Sequence, residues 1–535
     1  MKNIIKSISE AFIEEAEASS QLLEDMAAME KYVAESYGER IFIELLQNAD
    51  DAGSKKMTLY DKDGHVFVAN DGKPFDQNDI QSICRSGASS KKRGTAIGYR
   101  GVGFKSSSFL CEEIIIHSNN VGFTFSKKLC SERLRIKNVN KVPTIRIPLL
   151  IESLPVEIER EIEFLYKEGF TTIFVFRNAQ MNFLKQEIDT VNDGYFLFLN
   201  NIEQLLMNIS GVQKQFHVER TSGKISVNEM GMENTLWYVI NNPSHSVQLA
   251  FRLNKDEQII ECDQRDAVFH CYLPTLESTG YPFKINCDFL TDPSRKHLTW
   301  DEQTQEALKD SAHLIFQTIK EAAKGENEKL LPVFSLLKQR NTFSKFSTCI
   351  SDELENRIKN EEWIRLFNNH LINVLDCKKI PRFLENSEYL WLIENSSCKM
   401  NTPIICLKQD TGFTSFIDRF ASKKYEIEDW IEILSESSFV QRADHSLLAK
   451  LYGNLLKMIR SKSLLSDITY SLNTCYIKSE LNELYNWGIA DNIKFSDVFL
   501  QEYCFLLKAK KHPISKVLIR VRVKAMNVIK FDLLV

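Results

Sequence analysis

The chain has 535 residues, 43% hydrophobic and 26% charged, an ordinary globular balance. Its length predicts roughly three or four domains on the usual scale of about 100–200 residues each. A net charge of -5 excludes a global electrostatic pull toward nucleic acid or anionic lipid, and twelve cysteines with no C-x-x-C pair argue against a disulfide frame or a zinc site.

The opening "MKNIIKSISEAFIEEAEASS" has acids where a secretory leader needs an apolar core. No apolar run reaches the roughly 18 residues of a membrane helix. A cytoplasmic protein with reduced thiols and no membrane partner is the expectation. Residues 1–36 read as a helical segment without a breaker before Gly38. A helix over 38–52 follows, containing "IELLQNADDAG" and closed by Gly53. "KKMTLY" and "HVFVAN", joined by "DKDG", predict a hairpin turned at Asp-Gly. "FDQNDIQSICRSG" predicts a short helix with Asp76 as N-cap and Asp79 three residues on. A polar, glycine-rich loop comes next, "ASSKKRGTAIGYRGVGFKSS", followed by strands at "EEIIIHS", "VGFTFSK", "TIRIPLL" and "TTIFVF".

Residues 1–184 therefore read as an α/β sandwich, helices on one face of a mixed sheet. A second α/β domain is expected over 185–328, with strands at "GKISV", "TLWYVI", "VQLAFRL", "AVFHCYLP" and "FKINCDFL" and a helix over 301–325. Residues 329–535 read as mainly helical, with "YEIEDWIEILSESSFV" and "SLLAKLYGNLLKMIRSK" as amphipathic helices and "KVLIRVRVKAMNVI" as a basic-faced strand. The predicted fold class is α+β.

The chemistry-bearing residues begin on the second helix. Glu44 and Asn48 are four apart and share a face with Ile41, Leu45 and Ala52, which turns both polar groups toward the sheet. Buried together they need partners. A metal-bound phosphate provides them, with Asn48 as a Mg²⁺ ligand and Glu44 orienting and deprotonating a water. The competing reading is a solvated acidic face. Two later stretches favour the first: the strand running into "VANDGKPF", and "IGYRGVGFKSSSF", where Gly98, Gly101 and Gly103 lead to Lys105. Glycines there let backbone N–H groups approach phosphate closely. The stretch is not a P-loop, because the Gly-Lys-Ser/Thr ending is absent.

In this order the three stretches resemble the GHKL nucleotide-binding superfamily: gyrase, the ninety-kilodalton heat-shock chaperone, histidine kinases and mismatch-repair ATPases. The wording "ELLQNADDA … NDGKPF … IGYRGVGFKS" is most similar to the sacsin N-terminal ATPase-like group. The resemblance covers about 35–180, and more loosely runs to about 300 through "YPFKINCDFLTDPSRKHL". It implies a Bergerat-type nucleotide domain and a transducer-like second domain. Glu44 falls on the general base and Asn48 on the Mg²⁺ ligand. Asp51 matches an acid that braces the adenine side. Asn70 occupies a slot that most relatives fill with an adenine-reading Asp; Asp71 is the alternative reader, and Gly72 is in register. Gly98, Gly101, Val102, Gly103 and Phe104 would present backbone to phosphate, with Lys105 a charge contact and "SSKKRG" a lid. Thr172, with Thr171 the alternative, would hold adenine through water. Arg295 or Lys296 would reach the terminal phosphate.

The function so implied is Mg²⁺-dependent ATP binding and slow hydrolysis, driving a chaperone-like or switch role on an unknown protein client. Homodimerisation is common among relatives, and bacterial anti-phage defence is one setting for the group. A second class is a nucleotide-binding scaffold that does not hydrolyse. A third, less favoured, is a nucleic-acid binder using Lys508, Lys510, Lys511, Lys516, Arg520, Arg522 and Lys524.

Overall fold

The computed structural model describes residues 2–37, 40–85, 103–292, 294–337, 344–408, 411–462, 474–478 and 481–486. Two compact units take the described residues within Met1–Ile315 and Lys338–Glu353, and within Phe316–Leu337 and Leu354–Val535. The fold is mixed α+β, with a large mixed sheet in the first unit and a helix-rich second unit.

The expected N-terminal helical segment comprises two helices, α1 (Lys2–Ala18) and α2 (Ser20–Tyr37), followed by α3 (Ile41–Asp51). Gly53, at φ 76°, takes the left-handed conformation that ends α3. Strands β1 (Lys56–Lys62) and β2 (His65–Asn70) form the expected hairpin. Asp63 and Gly64 both have positive φ there, the requirement of a two-residue type I′ turn. Helix α4 (Gln77–Cys84) starts with the expected Asp76–Asp79 capping box. Then come β3 (Glu113–Ser118), β4 (Val121–Ser126), α5 (Lys127–Arg133), β5 (Leu149–Leu150), α6 (Val156–Lys167), β6 (Thr172–Phe176) and α7 (Met181–Asp189).

The "TIRIPLL" strand is a correction, since only Leu149–Leu150 pairs in the sheet. Side chains capture the backbone before it: Glu30 accepts from Thr144 N at 2.6 Å and Ile145 N at 2.8 Å. Two strands that the sequence reading passed over, β7 (Gln204–Ile209) and β8 (Val212–Thr221), precede β9 (Lys224–Glu229), β10 (Thr235–Asn241), β11 (Val247–Leu253) and β12 (Ile259–Ile260). "AVFHCYLP" breaks at Tyr272, φ 65°, into β13 (Val268–Cys271) and β14 (Leu273–Ser278), and β15 (Lys284–Cys287) follows. Helix α8 (Glu302–Ala323) closes this stretch.

Strands β1–β15 join one sheet, ordered β14-β13-β15-β11-β10-β9-β8-β7-β1-β2-β6-β3-β4-β5, with β12 paired to β11; two further two-stranded sheets pair Glu362–Arg365 with Leu371–Asn373 and Tyr476–Lys478 with Leu484–Asn486. Most pairs are antiparallel; β1–β7 and β13–β15 are parallel. Alternation along β2 assigns its faces. Val66 and Val68 join the main core with Leu45, Leu46 and Ala49 of α3, whereas Phe67 and Ala69 meet Ile158, Ile162 and Leu165 of α6 on the other face. Each such fully buried large side chain contributes about 2 kcal/mol.

In the second unit, helices over Asn386–Asn395, Ile427–Leu434, Ser437–Arg442 and His445–Lys462 pack around Trp430 and Tyr452. "YEIEDWIEILSESSFV" thus forms two helices where one was expected. "KVLIRVRVKAMNVI" lies outside the described residues. No helix among the described residues is long and apolar enough to cross a membrane.

Candidate active site

Helix α3 begins with a problem. Its N-cap residue, Arg40, offers no side-chain acceptor, so the first-turn N–H groups need one from elsewhere. Glu187 on α7 supplies it, accepting from Phe42 N at 2.9 Å and from Ile43 N at 3.0 Å. Burial pushes this carboxyl up to about 7, against the opposing pull of those two donors and of the Arg40 guanidinium.

One turn along, Glu44 is 4% exposed. Its Oε1 lies 2.9 Å from Arg295 Nε, and Nη1 of the same guanidinium donates to Gln47 Oε1. Arg295 sits in a turn with φ 53°. The carbonyls of Ser294 and Arg295 accept from Arg40 Nη1, and Pro274 O accepts from Arg40 Nη2 at 3.0 Å. Helix and turn are therefore tied twice, once through Glu44 and once through Arg40. Gln47, also buried, leaves Nε2 without a hydrogen-bond partner. An unpaired buried donor costs about 1–3 kcal/mol, which makes this atom a natural partner for a ligand oxygen or a water.

Asn48 is half-buried one turn beyond Glu44, and Asp51 is half-buried at the helix end. The acid with the plainest structural task is its neighbour Asp50. Its carboxylate accepts from the backbone N–H groups of Asn200, Asn201 and Ile202 at 3.0, 2.7 and 3.1 Å. Among the described residues no three His, Cys, Asp or Glu side chains converge as a metal cage. A Mg²⁺ carried by phosphates needs only one or two protein oxygens, and the Asn48 carboxamide fits that demand.

Strand register brings the second group together. Asn70 on β2 pairs with Thr172 on β6, and Thr172 with Ser118 on β3. These three side chains stand in a row at one end of the sheet, on the face that α3 covers. Thr172 and Ser118 share a hydrogen bond of 2.8 Å, and Ser118 Oγ also accepts from Phe75 N. Asn70 Oδ1 accepts from Ser54 Oγ at 3.0 Å and Gly72 N at 3.2 Å, which leaves the amide nitrogen as its remaining polar group. Asp71 Oδ1 accepts from Lys55 N and Lys56 N, both at 2.8 Å, so it brackets the start of β1. Thr171 Oγ1 donates to Gly72 O and touches the turn directly.

Gly72 is required for space. A Cβ there would lie 2.5 Å from Ser54 Oγ and 2.8 Å from Ala52 O. Gly72→Ala is expected to cost about 2 kcal/mol through forced separation of the turn from the end of α3, read as a lower urea midpoint with an unchanged slope.

Gly98, Gly101, Val102 and the 89–94 lid lie outside the described residues. Gly103–Phe109 is a 3-10 turn in which the Phe104 ring stands 5.5 Å from that of Phe174. Lys105 is buried, and Nζ donates to Ile145 O at 2.9 Å; burial lowers its pKa. Its ammonium is directed at a backbone carbonyl. Of the two basic candidates after β15, Arg295 meets Glu44, and Lys296, half-buried, lines a separate cavity together with Arg40.

Arg40, Gln47 and Glu187 are the members that sequence reasoning missed. Glu187 and Ile43 are 144 residues apart, and no local pattern announces a carboxylate that caps another helix.

No protein-family model matches the chain. It is 25% identical over 297 residues to Protein NO VEIN of Arabidopsis thaliana, a match spanning 50% of this chain and 10% of that protein. The chain thus covers about a tenth of the length of that curated relative. Among solved structures it is similar to the N-terminal domain of a DNA repair protein, with 10% identity, 52% of this chain and 94% of that one covered, and a TM-score of 0.27.

Proposed function

We propose that the first unit is a Mg²⁺-dependent ATPase of the GHKL kind, with a sacsin-like nucleotide domain and a transducer-like partner, working slowly as a chaperone-like or switch module in the cytoplasm. The observation that carries this reading is the buried Glu44–Arg295 pair. A buried ion pair is weak evidence for stability, because desolvation offsets its attraction, so its presence here asks for another use. A terminal phosphate is a strong bidentate partner for a guanidinium. Transfer of Arg295 to that phosphate would free Glu44 to take a proton from an in-line water, and Gln47 Nε2 would donate to the water or to the phosphate.

Asn48 would be the protein ligand of Mg²⁺, which when bound neutralises charge on the phosphates. The glycine loop would close the phosphate side, and Lys105 would add its charge there on releasing the Ile145 carbonyl. Asn70, whose oxygen is committed to Ser54 and Gly72, would meet the base through its N–H, a fit to a ring acceptor such as adenine N1. Thr171, Thr172, Asp71 and Asp51 would frame that edge.

Calorimetry with ATP, with and without Mg²⁺, tests the reading. Magnesium-dependent uptake with slow phosphate release is the expected result; no uptake of adenine nucleotide overturns it. The second reading, a scaffold that binds nucleotide and does not hydrolyse it, is favoured by the same pair if Arg295 keeps Glu44 in the bound state. Client binding, homodimerisation and an antiviral setting rest on the family resemblance, and nucleic-acid binding on basic residues outside the described ones.

A further inference from the structure

Behind the first turn of α3 lies a cavity of about 500 Å³, within the range of small-molecule sites. Arg40, Arg265, Lys284 and Lys296 line it, against two acids, Glu187 and Asp266. Glu187 has both oxygens turned to the backbone of α3, and Asp266 is exposed at the rim. Arg265 and Asp266 are both exposed at the rim, which leaves Arg40, Lys284 and Lys296 against Glu187 farther in, an excess of positive charge.

Two of its cations are in an unusual state. Arg40 is 7% exposed and Lys284 is 3% exposed. Among the described residues neither has a carboxylate in ion-pair contact. Arg40 donates to three backbone carbonyls. Lys284 Nζ donates to one, Asp266 O at 2.5 Å, and otherwise lies 5.1 Å from the Trp237 ring. Carbonyl dipoles, a ring face and, for Arg40, the fields of Glu187 and Glu44 offset part of the cost of burying two full charges, and an anion in the space between the two would offset more of it. Tyr195 and Thr190 share the wall; the Thr190 hydroxyl donates to Glu187 O at 2.7 Å, and the Tyr195 hydroxyl, 3.4 Å from it, is the neutral donor that suits an anionic oxygen.

We propose that this cavity is a second anion site, separate from the nucleotide face, that takes a small molecule bearing a phosphate or pyrophosphate group between Arg40 and Lys284. Its occupant would compete with the Ser294 and Arg295 carbonyls for Arg40 and so loosen the turn that presents Arg295 to Glu44. Binding stands on the cavity alone; that regulatory consequence rests on the ATPase reading.

Inorganic pyrophosphate, added to the full chain without Mg²⁺ or nucleotide, is expected to raise the melting temperature and to give a calorimetric isotherm. Lys284→Met puts an apolar side chain of similar volume in place of a buried cation that has no carboxylate in contact, at the loss of the hydrogen bond to Asp266 O. It is expected to weaken pyrophosphate at least tenfold while Mg-ATP affinity stays unchanged. Arg265→Ala, at the exposed rim, gives a milder loss and serves if the first variant does not fold. Crystals soaked in tungstate should show anomalous density between Arg40 and Lys284. No pyrophosphate uptake, uptake indifferent to both variants, or density confined to the glycine-loop region would each overturn the proposal. A chain that binds pyrophosphate in this way and takes no ATP leaves the anion site standing and removes the ATPase reading.

Discussion

Glu44→Gln is expected to slow phosphate release by about 10²–10⁴-fold and to leave nucleotide affinity within a few-fold. Glutamine matches glutamate in shape and keeps an oxygen for Arg295 Nε, so the tie between α3 and the 294–296 turn persists. What disappears is the ability to accept a proton. Single-turnover phosphate release beside a fluorescent-nucleotide titration separates the outcomes. Loss of release with retained binding supports the base assignment. An unchanged rate sinks it, and the pair with Arg295 then serves the packing of the turn alone. Wild type and variant that both bind and both release nothing identify the scaffold.

The second large effect concerns Glu187, whose replacement by glutamine should remove a pH dependence of stability. Its folded carboxyl is raised from an ordinary value of 4.5 to about 7 by burial. Between those values the folded chain holds the proton more tightly than the unfolded chain does. Stability from this group is therefore greatest at low pH and falls as pH rises through the folded value. The shift corresponds to at most about 3 kcal/mol. Urea unfolding at pH 5 and pH 8 reads it: the wild type should exceed Glu187→Gln by more at pH 5 than at pH 8. An advantage that grows with pH instead would mean that the carboxylate is stabilised where it lies. Glutamine offers one oxygen to two N–H groups, so the variant also carries a pH-independent loss of about 1–3 kcal/mol.

Local devices were legible in the sequence. The Asp-Gly hairpin, the Asp76 capping box and the Gly53 stop depend on neighbours in the chain, and each formed as expected. So did the spacing that places Glu44 and Asn48 one turn apart. Register between β2 and β6 then brought Asn70 beside Thr172, although their side-chain partners, Ser54 and Ser118, gave no signal in advance. Captures across long stretches of chain were not legible. Glu30 takes the backbone of Thr144 and Ile145 out of the sheet, Asp50 holds the 200–202 segment, and Glu187 caps α3. In each case a carboxylate that reads as surface charge is turned inward by tertiary packing. Strand β7 was missed for a different reason: its exposed positions include Leu206, so "QLLMNI" shows no clean alternation, although Leu205, Met207 and Ile209 are the buried face.

The parallel ladder between β1 and β7 has a practical consequence. β1 runs from the end of α3, and its outer edge is sealed by residues 204–208 from beyond the nucleotide-type motifs. Expression of a fragment ending near residue 184 would strip that seal and expose a row of unsatisfied backbone donors and acceptors, an invitation to edge-to-edge self-association. The same cut discards Arg295. Excised in that way, the motif-bearing half would precipitate or pair with itself, and its inactivity would say nothing about the chemistry of the intact chain.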